Sequence, residues 1–382
     1  MLTTLLKNCH LISPDIELHN AAVEICGDKI RRIYLAGESL PQAEKVIDAA
    51  GNMVMPGFVD VHCHGRSGFD VTAATPEAIA TVAKDKLTEG VTTYLPTTLT
   101  LPEDRLGQTL QCIADYNRSG NIKGAKLPGV HLEGPYFNCK CLGAQNPAYV
   151  RAPDINEIMR LNAICPVLKV SLAVEIDGGI NFVRELIEHG ITPSCGHSAA
   201  SYENFKLARQ MGLVNLTHFC NQMTPLHHRD IGLVGAGLMH DELYTELICD
   251  NIHLSPDMIR LIFKVKDVSR ILLITDAMQA TGLPDGLSDI GGLQVVVKNG
   301  EARLASSGAL AGSTLLFNRA LKNVHELTGL PLGQLVKTTS LNQAQSLGLP
   351  GIGRIQAGYF ADLVILDRDF EVVRVLVDGE ER

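Results

Sequence analysis

The chain has no run of about 18 consecutive apolar residues, so the sequence predicts no membrane-spanning helix. Its first residues, MLTTLLKNCHLISPDIEL, hold one lysine and no sustained apolar segment with a cleavage site, and do not read as a signal peptide. Positive charge is scarce: 33 Lys and Arg stand against 42 Asp and Glu, a formal net charge of -9. Binding phosphate chains requires a basic field, so this balance argues against a nucleic-acid partner and against an anionic membrane surface. A small anionic substrate needs only a few local Arg or His. There is no repeat of fixed short period and no low-complexity tract. The ten cysteines are scattered and lack the spacing of a disulfide framework. They read as reduced thiols of a cytoplasmic protein. Cys139-x-Cys141 has no second pair to complete four ligands, which argues against a structural zinc.

What the sequence does contain is a soluble globular balance, 46% hydrophobic and 20% charged, over 382 residues. That length allows one large barrel with an appendage, or two to three ordinary domains. Short β-branched runs alternate with amphipathic helical patterns, the signature of βα units. Eight such runs fall near 58–62, 91–95, 128–132, 168–173, 191–195, 214–218, 245–249 and 271–275. Between the first two, Thr75 reads as an N-cap, Pro76 as the first turn and Gly90 as the stop. A second helix reads over 202–211, ending at Gly212. The pattern predicts an α/β fold: a (β/α)8 TIM-like barrel over residues 55–352. Residues 1–54 and 353–382 read as short strands and turns, too poor in apolar surface to fold alone. They are expected to pair as one small β-sandwich domain built from both termini.

In such a barrel the chemistry lies at the carboxyl ends of the strands. The first run ends in His62-Cys63-His64, whose two imidazoles share one face of an extended segment. The third ends at Glu133, the fifth at His197, the sixth at His218 and the eighth at Asp276, while His253 follows the seventh. A single His at a strand end is most often a satisfied polar residue. Five of eight strand ends carrying His, Glu or Asp predict a metal site instead. His10, His19, His189, His240 and His325 lie away from strand ends and read as surface or core residues, and His131 as a packing group pointing into the barrel. Imidazole and carboxylate ligands suit zinc, iron(II) or manganese. A metal lowers the pKa of bound water from about 16 toward 7, giving hydroxide at neutral pH. Asp276 is placed to take that water's proton and hand it to a leaving amine, and His253 to donate to the developing oxyanion. This chemistry hydrolyses an amide or ester, or deaminates a ring.

At these residues the chain resembles the amidohydrolase superfamily and, within it, the N-acetylglucosamine-6-phosphate deacetylases. The likeness runs nearly end to end. It is carried by Pro56-Gly57-Phe58-Val59-Asp60-Val61-His62-Cys63-His64-Gly65, His131-Leu132-Glu133-Gly134-Pro135, Gly196-His197-Ser198, Thr217-His218-Phe219-Cys220-Asn221-Gln222-Met223 and Leu273-Ile274-Thr275-Asp276-Ala277-Met278. Leu310-Ala311-Gly312-Ser313-Thr314 and Gly358-x-x-Ala361-Asp362 complete the order. The resemblance implies one or two divalent ions, on His62, His64, Glu133 and Asp276 and on Glu133, His197 and His218. It implies deacetylation of an N-acetylhexosamine 6-phosphate, with Gln145, Asn221, Gln222, Arg229, His253 and Leu310 on the substrate. It also implies a homodimer in which Arg229 binds phosphate, within one subunit or across the interface; a planar guanidinium suits phosphate bidentately.

One segment departs from the family. Where it carries Lys-Lys-Gly-Ala-His, this chain has Lys140-Cys141-Leu142-Gly143-Ala144-Gln145, so a basic residue and an imidazole are missing. The glucosamine and galactosamine epimers both stay open, as does another N-acyl substrate such as an N-acyl amino acid. A non-catalytic scaffold is the remaining alternative, and an intact set of ligands speaks against it.

Overall fold

The computed structural model describes residues 3–120 and 122–382. Residues 1 and 2 of the expected terminal unit lie outside them. The eight expected runs are all strands: β1 (Phe58–Cys63), β2 (Val91–Pro96), β3 (Val130–Glu133), β4 (Val167–Leu172), β5 (Thr192–Cys195), β6 (Asn215–Leu216), β7 (Tyr244–Ile248) and β8 (Ile271–Ile274). β3 to β8 form one six-stranded parallel sheet in chain order, and β1 and β2 form a separate parallel pair. Single parallel bridges, Cys63 with Ala277 and Thr97 with His131, join the pair to the two edges of the larger sheet. β6 is shorter than the expected 214–218, because His218 leaves the extended region at φ 28°.

Helices separate the strands: α1 (Pro76–Lys86), α2 (Glu103–Arg118), α3 (Ile155–Asn162), α4 (Gly179–Glu188), α5 (Tyr202–Gln210), α6 (Gly232–Met239), α7 (Pro256–Val265) and α8 (Phe317–Thr328). The side chain of Thr75 accepts from the backbone of Ala78 with Pro76 at the first position, and Lys84 and Lys86 fill the last turn of α1, where cations offset the helix dipole. A short 3-10 turn then stops at Gly90, φ 83°. Ser201 and Asn204 form a reciprocal capping box on α5. The inner faces follow helical periodicity; Ile259, Ile262 and Phe263 of α7 are buried, each contributing about 1.5–3 kcal/mol.

Strands from both ends of the chain share one eight-stranded sheet. Its order is Glu380–Glu381, Val372–Val377, Leu363–Leu366, Met53–Pro56, Thr3–Ser13, Ile16–Cys26 and Lys29–Tyr34, with Lys45–Asp48 pairing beside Thr3–Ser13. Alternation divides its two faces. Val54, Leu363, Ile365 and Leu376 join an apolar cluster of this sheet's own, with Leu6, Leu11 and Val23. Met53, Met55, Val364, Leu366, Val375 and Val377 face the other way and join the main core. After β8 the chain adds a three-stranded antiparallel sheet, Gly286–Ile290, Leu293–Lys298 and Glu301–Leu304, not foreseen from the sequence. It packs on Leu99, Met278 and Ala311, at the strand ends that carry the site. Among the described residues, no helix is long and apolar enough to cross a membrane.

Candidate metal centre

The carboxyl ends of β1, β3, β5, β6 and β8 converge on Glu133. Its Oε1 lies 3.3 Å from His62 Nε2, 3.3 Å from His197 Nε2 and 3.2 Å from His218 Nε2, and its Oε2 lies 3.3 Å from His64 Nε2. Asp276 Oδ1 lies 3.3 Å from His62 Nε2 and 3.1 Å from His64 Nε2. His62, His64 and Glu133 make one group fit to hold an ion, and Glu133, His197 and His218 a second. All six ligand candidates are buried.

The spacing of the nitrogens tests that fit. His62 and His64 Nε2 are 3.3 Å apart, and His197 and His218 Nε2 are 3.0 Å apart. Two imidazole nitrogens this close need a proton or a cation between them. Metal–nitrogen bonds of about 2.0–2.1 Å place tetrahedral ligands about 3.3 Å apart and octahedral ones about 2.9 Å apart. The observed edges fall in that range.

Three site residues reach the cluster through strained backbone. His197, His218 and Asp276 have φ of 46°, 28° and 49°. Non-glycine residues held there cost about 1–3 kcal/mol each, and survive where neighbours over-determine them. Asp276 is held on both sides: its N–H donates to His62 O at 2.9 Å, and its carbonyl accepts from the Ser313 N–H at 2.7 Å. Gly134, φ 84°, follows Glu133 because a Cβ there would meet Thr100 Oγ1 at 2.5 Å.

The far ring nitrogens differ. His64 Nδ1 faces Thr97 O at 3.1 Å and His197 Nδ1 faces Cys141 O at 2.8 Å. His62 Nδ1 faces the carboxylate of Glu246 at 3.2 Å, and Glu246 is ion-paired with Lys169. Such contacts fix the tautomer that presents Nε2 to a metal. His131 lies beneath, against Thr97 Oγ1 and Ser171 Oγ at 3.3 and 2.7 Å. Burial and then the Lys169 charge push its ring well below the usual range, so it stays neutral inside the barrel.

Burial alone drives His62, His64 and His218 toward the neutral form. At His62 the carboxylates of Glu133 and Asp276 overcome burial and raise the ring to about 9. His64 is likewise raised well above the usual range, by Asp276 and Glu133 against burial. At His218 burial wins and the ring is lowered. Burial pushes Glu133 and Asp276 up, but the imidazoles around them hold Glu133 well below the usual carboxylate range and lower Asp276 too. The centre therefore keeps its carboxylates ionised by gathering positive charge around them. A divalent ion bound there would supply the same charge.

The cluster opens into a cavity lined by Gly143, Ala144, Gln145, Asn221, Gln222, His253, Leu310 and every ligand candidate except His62. Leu99 and Ile290, the latter from the added sheet, form an apolar side. His253 Nδ1 faces Asp250 Oδ2 at 2.7 Å; burial lowers its pKa, but the bond to Asp250 more than offsets this and raises it. Asn221 Nδ2 donates to the carbonyls of His218 and Phe219 at 3.3 and 3.4 Å. Gln145 is buried and committed: its Nε2 donates to Glu133 Oε2 at 2.6 Å, and its Oε1 accepts from the Thr100 N–H at 2.7 Å. Arg229 is not brought to the cavity. It is exposed beside His228, whose Nε2 lies 2.6 Å from its guanidinium, and it lines a separate depression with Tyr202, Glu203 and Met239. No Lys or Arg is among the described residues lining the main cavity. His10, Glu17 and His19 cluster elsewhere, on the surface of the terminal sheet. The residues missed from sequence are Lys169, Glu246 and Asp250. The one signal for the first two was a lone charge inside an otherwise uncharged strand.

Residues 53–382 match the model of the Amidohydrolase family. The chain is 39% identical over 329 residues to an N-acetylglucosamine-6-phosphate deacetylase of Vibrio furnissii, covering 85% of this chain and 82% of that protein. It is 37% identical to an N-acetylgalactosamine-6-phosphate deacetylase of Escherichia coli O157:H7, covering 91% and 92%. An aspartate-to-alanine mutant of N-acetyl-D-glucosamine-6-phosphate deacetylase from Mycobacterium smegmatis, solved in complex with N-acetyl-D-glucosamine-6-phosphate, superposes with a TM-score of 0.92 at 31% identity, covering 100% of this chain and 99% of that one.

Proposed function

The chain belongs to the amidohydrolase family and, within it, to the N-acetylglucosamine-6-phosphate deacetylases, and on that premise we propose how its site works. It is a hydrolase that removes the acetyl group of N-acetylglucosamine 6-phosphate, yielding acetate and the amino-sugar phosphate. The observation that carries the mechanism is the shared Glu133 carboxylate, met on one side by His62 and His64 and on the other by His197 and His218. These residues, with Asp276, would hold one or two divalent ions; nitrogen and oxygen donors suit zinc, iron(II) or manganese. An ion so held lowers the pKa of a water it binds and polarises the acetyl carbonyl. Asp276 accepts a proton from the attacking water as the new C–O bond forms, then delivers it to the amide nitrogen as the C–N bond breaks. Acetate and a free amine result, and Asp276 returns to its carboxylate form. His253 donates toward the oxygen that gains charge. The bond to Asp250 that raises its pKa keeps the ring protonated on both nitrogens to higher pH.

The substrate phosphate needs a cation that the cavity lining lacks. We assign that role to Arg229 of a second copy, which makes the working form a homodimer. Its exposed guanidinium, on the loop that follows β6, is free to reach a neighbouring cavity mouth. Asn221, Gln222 and Leu310 line the sugar's path, while Gln145 borders it through Glu133. We read the two parallel sheets as arcs of one (β/α)8 barrel over 55–352. The sheet from 1–54 and 353–382 we read as a sandwich closed over its own apolar cluster. Ten free cysteines fit a cytoplasmic location.

The test is acetate release from N-acetylglucosamine 6-phosphate and N-acetylgalactosamine 6-phosphate, each beside its unphosphorylated form, with zinc, iron(II) or manganese supplied. We expect release from the phosphorylated glucosamine compound. The changed Lys140–Gln145 segment and the galactosamine-type relative favour a second reading, the other epimer, which the same panel would reveal. Activity confined to unphosphorylated N-acyl amino acids would sink both.

A further inference from the structure

Four histidines reach the cluster, but an ionised side chain backs His62 in place of a backbone carbonyl. Lys169 of β4 and Glu246 of β7 are both buried inside the parallel sheet. Lys169 Nζ donates to Glu246 Oε1. The other oxygen, Oε2, accepts from His62 Nδ1 at 3.2 Å and also from the His218 backbone N–H at 3.3 Å. The Glu246 carbonyl accepts from the next N–H, that of Phe219, at 2.7 Å. One residue therefore grips a ring in the first ligand group and the strained backbone of a ligand in the second.

A buried Lys–Glu pair is a poor source of stability, since taking two charges out of water costs about as much as their attraction returns. An apolar pair of the same volume would fill this space as well. The arrangement does have a consequence at the cluster. A carboxylate on Nδ1 fixes the tautomer of His62 with its Nε2 lone pair forward and makes that nitrogen a stronger donor.

Resting on the reading of the cluster as a metal centre, we propose that Glu246, pinned by Lys169, is a positioning residue that decides whether the His62–His64 group takes up an ion beside the Glu133–His197–His218 group. Neither side chain touches the cavity. Both act through His62 and through the His218 backbone.

The test measures bound ions per chain, by elemental analysis of full-length protein titrated with zinc, and the absorption spectrum of the cobalt(II) form. The proteins are wild type, Glu246→Gln, the double variant Lys169→Met with Glu246→Leu, and His62→Ala as the reference for losing the first group. Wild type should retain two ions. Glu246→Gln should bind one of them about 10–100-fold more weakly, the usual effect of losing a ligand's orienting partner. Its cobalt spectrum should match that of His62→Ala. Because Glu246→Gln strands a buried ammonium, the double variant serves as the folded control. It should melt near wild type and still lack the first ion, a split that a merely structural pair would not produce. Two ions at unchanged affinity in either variant would overturn the proposal, and so would loss of both ions together from a folded chain. A wild type that binds no ion would instead overturn the metal reading beneath it.

Discussion

The two halves of the centre reach Glu133 by different means. His62 lies in β1 and His64 one residue past its end, neither with a positive φ, so one extended segment presents both rings to the same side without backbone strain. His197 and His218 come singly from β5 and β6, and each turns into the left-handed region to arrive. The first pair is thus inexpensive to build, but the orientation of His62 rests on a buried charged pair, while His64 is backed by the Thr97 carbonyl. The second is strained; the carbonyls of His197 and His218 accept from the Asn138 and Asn221 N–H groups, while the His218 N–H donates to the Glu246 carboxylate. The contrast suggests a division of labour, with the second group as the fixed anchor and the first as the adjustable one. Variants of each half can break or sharpen that picture.

The largest effect should come from the residue both halves share. Glu133→Gln removes the charge that holds four imidazoles together, and we expect loss of all bound metal and a fall in kcat of at least about 10³-fold. Asp276→Asn should keep its metal and lose turnover by about 10²–10⁴-fold, since the proton acceptor is gone while the imidazoles stay. Metal content beside acetate release separates the two. Near-full activity in Asp276→Asn would remove that residue from the chemistry.

The halves themselves come next. If the second group is the anchor, His218→Asn should approach the damage of Glu133→Gln, whereas His62→Asn should leave one bound ion and residual turnover. We expect about a 10–100-fold gap between them. An equal loss would mean that the two groups work only as a unit, and the reverse order would make β1 the anchor.

How much of this could be read from the sequence follows the same divide. His62-x-His64 was legible because strand periodicity alone aims both rings. Glu133 was legible as the last residue of its strand and His197, His218 and Asp276 as polar residues two positions past theirs, and the eight runs fell within a few residues of their strands. The positive φ of the last three was not, because it depends on hydrogen bonds from neighbouring strands. Glu246 and Lys169 were hidden for a related reason: they pair across 77 positions, and each alone is an odd charge in a strand. Carbonyl partners such as Thr97 and Cys141 leave no trace in a sequence, since every residue carries one. The added sheet over 286–304 was missed because apolar residues point out of it as well as in, Leu287 and Val296 exposed and Ile290, Val295 and Val297 buried, and because it follows no βα pattern.

Beyond the metal groups the effects should shrink. Arg229→Ala removes a charge-assisted contact worth about 1.5–3 kcal/mol, so KM for the phosphorylated sugar should rise about 10–150-fold with kcat little changed. Mixing Arg229→Ala chains with catalytically dead Asp276→Asn chains tests the source of the arginine. If it reaches across a dimer, mixed dimers pair an intact Asp276 with an intact Arg229 in one cavity and recover low-KM activity. If it serves its own subunit, no mixture recovers it. Equal losses on phosphorylated and plain sugars would assign Arg229 to something other than phosphate.

The smallest change concerns His253. Asp250 Oδ2 accepts from its Nδ1, and that bond holds the imidazolium form to higher pH than burial alone would allow. For a ring whose pKa is raised in this way, the charged donor is present at low pH and is lost as pH climbs through the raised value. Activity that depends on the donor should therefore show an alkaline limb. In Asp250→Asn the amide oxygen can still accept the Ile252 and His253 N–H groups that now bond to Oδ1, so the loop should keep its shape. The amide nitrogen cannot accept from Nδ1, so the ring pKa falls and the alkaline limb of kcat should move to lower pH. At the optimum the loss should stay within about tenfold, because the donor survives in its protonated range. Metal content should be unchanged in both halves of the centre, since His253 belongs to neither. A limb that stays in place would trace it to another group, and a variant that loses metal would tie Asp250 to the strand ends and not to the oxyanion.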